Sequence, residues 1–465
     1  MNILRSAVKP ARTKTSNRST PSRKGASAPA VAAPGREPFG RRWGLRMLWL
    51  LVLVAPLLIS PTSKEAFRLP KAMASGWLAL ASLLFFAWEV RRAGTIRWTD
   101  LWRRPAVRVA LPLLVVATAS FAASAHPLHT REGLADLWIG AAALVGWSLA
   151  LEAPRLERLL TGLLVPASLL ALLGILQFHK IYQPLPLTGI EIDPRLAITS
   201  LAGNPGELGA FLVLPCLIAQ QRIFRRAGRS RLLAILALVL CVYAVALTQT
   251  LAALAALALG SVLLWAGLLP RRQAALIFGG GAALALVLAL GVAPLRERIA
   301  AKAAQARAGD WNSVLTGRLD GWSAAVWMFR EHPWTGVGHG AYRPEYVPAM
   351  NDLLDRGFRM YPQHLQPVFA NAHNEYLEAA AEWGIAGIAV LAWGLWVLVS
   401  TLHRMPGREE RMLAGAGAAA LALLSMVYFP FRSPLIAWPA LLFLSWIFRS
   451  GDRPEEAEEP VEETA

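Results

Sequence analysis

Long apolar runs separated by short, arginine-rich connections dominate the chain from residue 46 onward. Runs able to cross a hydrocarbon core of roughly 30 Å fall at 46–60, 71–89, 106–124, 133–150, 159–178, 206–221, 231–248, 250–269, 273–293, 384–402, 411–429 and 434–448. The pattern predicts an all-α, polytopic membrane bundle of about twelve transmembrane helices. Several runs are short or adjoin closely, as on either side of Thr248-Gln249-Thr250, so one or two could merge or drop out.

Two polar stretches interrupt the runs, at 179–205 and 294–383. The second is the only one large enough for a small folded unit, and its composition changes sharply, with Trp311, Trp322, Trp327, Trp334, Tyr342, Tyr346 and Tyr361 alternating with charges. Residues 318–329 read as an amphipathic helix with Leu319, Trp322, Val326 and Phe329 on one face. Glu331-His332-Pro333 ends it, and a glycine turn follows at 336–340. A glycine turn after a helix, with no strand-to-helix step, has neither a Rossmann nor a P-loop context. It is either a plain tight turn or a close approach of backbone to a ligand.

The organisation expected is a basic Ser/Pro/Ala-rich tail at 1–43, disordered for want of apolar periodicity, then a first membrane block at 44–293. The exterior segment 294–383, a second membrane block at 384–449 and an acidic tail at 450–465 follow. The first apolar run sits behind too long a tail for a signal peptide and reads as a retained anchor.

With 55% hydrophobic residues, a soluble multidomain protein is excluded. The formal charge of +17 does not point to nucleic acid, because the arginines gather in alternate connections. Arg91, Arg92, Arg103 and Arg104 lie in one, Arg222, Arg225 and Arg226 in another, and Arg404, Arg408 and Arg411 in a third, while the intervening loops are poor in charge. That alternation places both termini in the cytoplasm and the segment 294–383 outside. Cys216 and Cys241 fall inside apolar runs and form neither a disulfide framework nor a metal-ligand spacing.

The densest group of ionisable and amide side chains is 371–384. As a helix capped by Asn371, it would carry His373 in its first turn, where the dipole favours a neutral imidazole able to accept a proton. Glu375, Glu378 and Glu382 would share one face, read as solvated. Spacing alone leaves His373 open between a proton acceptor and a satisfied polar residue. Arg195 and Arg318, in the two polar stretches, suit a phosphate-bearing substrate, since guanidinium binds phosphate bidentately without a metal. A lone exterior arginine also serves as an interface anchor. Glu191 and Asp193 form the one weak carboxylate pair for a divalent ion, and neither HExxH nor GxSxG is present. No metal and no cofactor are expected.

These residues carry a family resemblance. Gly317-Arg318-Leu319-Asp320-Gly321-Trp322, His332-Pro333-Trp334-Thr335-Gly336-Val337-Gly338 and His373-Asn374-Glu375-Tyr376-Leu377 resemble, in order and spacing, the O-antigen ligase and polymerase superfamily. Upstream, Gly203-Asn204-Pro205-Gly206 is similar to the family's G-N-P-N segment, with Gly206 in place of the usual Asn. The resemblance implies a GT-C-like, metal-independent glycosyltransferase of the bacterial plasma (inner) membrane, of the O-antigen ligase type. Its donor would be an undecaprenyl-diphosphate-linked glycan, taken on the outer face of the bilayer. The acceptor would be lipid A core, with a growing glycan (polymerase) or a protein hydroxyl (O-oligosaccharyltransferase) as alternatives. By carry-over His373 is the essential histidine and Arg318 the loop arginine that engages the donor diphosphate, while Arg195, Asn204 and Asn374 would contact substrate. The rival from another class is a transporter or flippase of the same lipid-linked glycan, disfavoured because the polar residues crowd an exterior loop rather than the midplane. A membrane scaffold would leave Arg318 and His373 unexplained.

Overall fold

The computed structural model describes residues 37–63, 65–93, 98–183, 198–280, 293–361 and 369–452. The tail at 1–36, Arg195, the pair Glu191 and Asp193, and most of the run at 273–293 lie outside these. Among the described residues all regular structure is helical. The membrane part comprises α1 (Phe39–Leu53), α2 (Arg68–Ala93), α3 (Pro105–Ala119), α4 (Pro127–Ala150), α5 (Ala153–Gly162), α6 (Leu164–Phe178), α7 (Pro205–Arg225), α8 (Gly228–Thr248) and α9 (Leu251–Leu268). The exterior segment folds as α10 (Ala293–Arg307), α11 (Arg318–Glu331) and α12 (Tyr342–Asp355), and α13 (Glu375–Arg404), α14 (Arg408–Val427) and α15 (Pro434–Ser450) complete the chain.

Nine spans among the described residues are long and apolar enough to cross a membrane: α2, α3, α4, α5 with α6, α7, α8, α9, α13 and α14. The run expected at 46–60 is instead the 15-residue helix α1, which stops at Leu53 before Pro56. The run at 434–448 is the 17-residue α15, apolar and at the lower limit of length for a crossing. The helix α7 is 83% buried, whereas the other eight spans are only 17–44% buried. It is the axle of the bundle, and its neighbours turn most of their surface outward.

Helix ends gather on two faces. On one, Arg41 pairs with Glu152 (2.7 Å), Arg222 and Arg225 with Glu157 (3.0 and 2.9 Å), and Arg225 with Glu409 and Glu410 (3.1 and 2.9 Å). These are the arginine-rich connections. On the other, the end of α3, the start of α4 and the α14–α15 junction meet the exterior segment: the Ser120 hydroxyl accepts from the His339 amide (3.0 Å), His126 meets Glu345 (3.1 Å), and Arg318 Nε donates to the Val427 carbonyl (3.0 Å).

The face of α11 that packs inward is not the one the pattern predicts. Asp320, Gly321, Ala324, Ala325 and Met328 are buried, while Leu319, Trp322, Val326 and Phe329 are half-exposed. Small residues win because the helix lies directly on backbone: a Cβ at Gly321 would sit 2.9 Å from the Ala372 carbonyl oxygen, and the Tyr342 hydroxyl donates to the Gly321 carbonyl (2.9 Å). Ala324, Ala325 and Met328 then join Tyr342, Tyr346 and Ala381 in a core separate from that of the bundle.

The glycine turn is more than a plain turn. The helix α13 breaks at Gly384 (φ 62°, ψ −150°), which removes the donors that would have met the carbonyls one turn earlier. The turn supplies replacements: the Val337 amide donates to Ala381 O and the Gly338 amide to Glu382 O (both 3.0 Å), while Ile385 donates to Pro333 O (2.8 Å). Buried backbone groups must be paired somewhere, and here two strained segments satisfy each other. Gly336 (φ 66°) and Gly384 approach so closely that a Cβ on either would collide with the opposing backbone.

Candidate active site

The site begins with a correction to the helix start. Asn374, not Asn371, caps α13: its Oδ1 accepts from the Tyr376 and Leu377 amides, both at 3.0 Å. His373 therefore stands before the first turn, with left-handed backbone (φ 57°) that few non-glycine residues adopt. Its Nδ1 lies 3.2 Å from the Asn371 carbonyl oxygen. A carbonyl can only accept, so Nδ1 carries a proton, and Nε2 is the nitrogen that is basic when the ring is neutral. Phe369 and Phe429 pack edge-on against the imidazole, with centroids at 5.2 and 4.9 Å, and Trp322 Nε1 donates to the His373 carbonyl (3.4 Å).

Arg318 opens α11. Its Nε donates to the Val427 carbonyl (3.0 Å), and Nη1 to Leu315 O (3.1 Å) and Thr316 Oγ1 (2.7 Å). Val427 is the last residue of α14, two before Phe429. Arg318 and His373, 55 residues apart in sequence, are thus brought to one short segment, 427–429.

The third side is Tyr428, 8% exposed, stacked on Phe429 (4.3 Å, 16°). The start of α7 adjoins it: a Cβ at Gly206 would sit 3.5 Å from the Tyr428 ring, an ordinary van der Waals contact. Burial drives the Tyr428 hydroxyl well above its ordinary pKa, helped by Glu207 and opposed by Arg68 and Arg318. It stays a neutral phenol. Asn204 is placed beside this group but acts as the cap of α7, its Oδ1 accepting from the Gly206 amide (2.6 Å). Both asparagines expected at substrate have backbone work to do, and Arg195 lies outside the described residues.

Glu378 and Glu382 are not solvated; they are 2% and 1% exposed. Arg432 Nη2 bridges Glu382 Oε2 (2.8 Å) and Glu378 Oε1 (3.2 Å). His339 Nδ1 reaches the same Glu382 oxygen (2.8 Å), and the Phe431 amide donates to Glu375 Oε1 (2.9 Å). The face fills because the exterior core and the 428–433 connection close over it. Burial pulls the Arg432 pKa down, but the Glu382 and Glu378 carboxylates overcome that and raise it, so the guanidinium stays charged.

Sequence reading missed Tyr428, Phe429 and Arg432. The first two closed an apolar run, and Arg432 counted only as a sparse exterior charge. Its signal was there: Arg432 is the sole charged residue between Arg411 and Arg449, and a lone charge in an apolar stretch marks a pairing or functional site.

Residues 236–392 match the family model described as O-antigen ligase. The match runs from α8 into α13 and takes in Arg318, His373 and Asn374, while Asn204 and Arg432 lie beyond its ends. A search of the curated proteins gives no match.

Proposed function

We propose, from the O-antigen ligase domain carried at residues 236–392, that the chain moves a glycan from an undecaprenyl-diphosphate carrier to an acceptor hydroxyl, of the O-antigen ligase type with lipid A core as acceptor. The observation that carries this reading is the meeting of Arg318 and His373 at one segment. The acceptor oxygen bonds to the anomeric carbon as His373 Nε2 removes its proton. The bond from that carbon to the diphosphate oxygen breaks, and the lipid diphosphate leaves. Diphosphate is already a good leaving group, so charge stabilisation matters more than acid catalysis. Arg318 supplies that charge, with Arg195 as a second contact.

The site opens on the outer side of the inner membrane, because the arginine-rich connections form the opposite face of the bundle and arginine marks the cytoplasmic side. A cysteine placed at Gly309 should then react with an impermeant thiol reagent in intact cells, and one at Gly407 should not. The reverse pattern would overturn the orientation and the choice of donor face.

Guanidinium groups do the phosphate neutralisation in this reading, so transfer proceeds without a metal. Purified protein in nanodiscs, given undecaprenyl-diphosphate glycan and lipid A core in EDTA, should yield glycan on the core. Turnover abolished by EDTA and restored by a divalent ion would refute the metal-free mechanism. Lengthening of the donor-linked glycan alone would identify a polymerase, and movement of donor across a vesicle without any transfer would identify a flippase.

A further inference from the structure

We propose that Arg432 is a positioning residue for His373, an inference that rests on the histidine being the base of the reaction proposed above. Two connections lead from Arg432 to the imidazole. The first passes through Glu378. Its Oε1 accepts from Arg432 Nη2 (3.2 Å) and Asn371 Nδ2 (3.1 Å), and its Oε2 accepts from the Ala372 amide (2.8 Å). Asn371 and Ala372 are the two residues before His373, and the Asn371 carbonyl is the group that holds the imidazole Nδ1. One buried carboxylate therefore templates the turn that gives His373 its left-handed backbone and its tautomer.

The second connection passes along the chain. The connection before α15 is anchored by the Arg432 guanidinium on Glu382 and Glu378, and by two backbone contacts beside it: the Phe431 amide on Glu375 and the Arg432 carbonyl, which accepts from Arg68 Nη2 (2.5 Å). Three residues earlier, Phe429 stands edge-on to the imidazole. The guanidinium therefore acts on the turn before His373 through Glu378, and shares with two backbone contacts the hold on the Phe429 side.

Without Arg432, Glu378 and Glu382 become buried carboxylates that have lost their guanidinium, with the His339 imidazole still against Glu382. A buried carboxylate that loses its cation takes up a proton or turns toward water. In either case the template for 371–373 loosens, while Arg318 keeps its own bonds to Leu315, Thr316 and Val427. Donor capture should survive and proton removal should not.

The test uses the full chain in nanodiscs, with donor binding and single-turnover transfer measured separately. Arg432→Met should slow transfer about 100-fold, the scale of a misplaced reacting group, with donor affinity changed less than about threefold. Arg432→Lys, which restores a cation, should recover most of that loss. In a His373→Asn background, Arg432→Met should cost less than about threefold more, because groups acting through one residue are not additive. The companion Arg432→Met/Glu378→Gln/Glu382→Gln removes the stranded charges and should show the same rate loss in a folded protein, which excludes misfolding as the cause. Losses that multiply with His373→Asn, or a loss confined to donor affinity, would overturn the positioning role alone. Full transfer by His373→Asn would instead overturn the base assignment, and this inference with it.

Discussion

His373→Asn should reduce single-turnover transfer by about two to four orders of magnitude, the usual cost of losing a general base, while leaving donor binding close to normal. Asparagine is the sharper substitution because of the backbone. At φ 57° an ordinary side chain costs roughly 1–2 kcal/mol, so His373→Ala mixes strain in the turn with loss of the imidazole. Asparagine tolerates the left-handed region and can keep a donor toward the Asn371 carbonyl, yet offers no basic nitrogen. The two variants should lose transfer alike if the imidazole is the base. If His373→Ala falls and His373→Asn does not, the residue serves the turn and the chemistry lies elsewhere. Glu375→Gln is no neutral control here, since Glu375 holds the Phe431 amide. An exposed position such as Arg330, at the far end of α11, serves that purpose.

Much of the bundle was legible because apolar runs and arginine alternation report on lipid directly, residue by residue. Boundaries were less so. A helix was legible at 371–384 and a span at 384–402, but nothing showed that they form one element bent at Gly384, because the bend depends on the turn at 336–340 for its missing donors. The site divides the same way. Arg318 and His373 stand in recognisable motifs, and a lone imidazole or guanidinium in an exterior segment is a local signal. The burial of Glu378 and Glu382 is not local. A helix face with three glutamates reads as solvated until a cation from 50 residues away closes over it, and no period in the sequence announces that partner. The packing face of α11 failed for a related reason: large apolar residues set the pattern, but contact with the Ala372 backbone demanded the small ones.

Arg318→Lys should depress both donor binding and transfer, in contrast to His373→Asn. The charge is retained, so a purely coulombic role predicts little change. The guanidinium, however, is fixed in direction by three bonds from two of its nitrogens: Nε to Val427 O, and Nη1 to Leu315 O and Thr316 Oγ1. A lysine ammonium is a single point on a flexible stem and cannot hold those bonds while directing a donor at phosphate. Two consequences follow. In the proposed role, donor affinity falls because the diphosphate loses an oriented, charge-assisted N–H donor. Transfer falls further because charge developing on the leaving diphosphate meets a donor no longer held in place; losing one such preorganised donor costs about 100- to 1,000-fold in rate. Arg318→Ala should lose at least as much. The measurements are donor affinity and single-turnover transfer in nanodiscs, with correct folding checked by elution and thermal unfolding. Normal donor affinity and normal transfer in Arg318→Lys would remove the oriented guanidinium from the mechanism and leave net positive charge as its whole contribution.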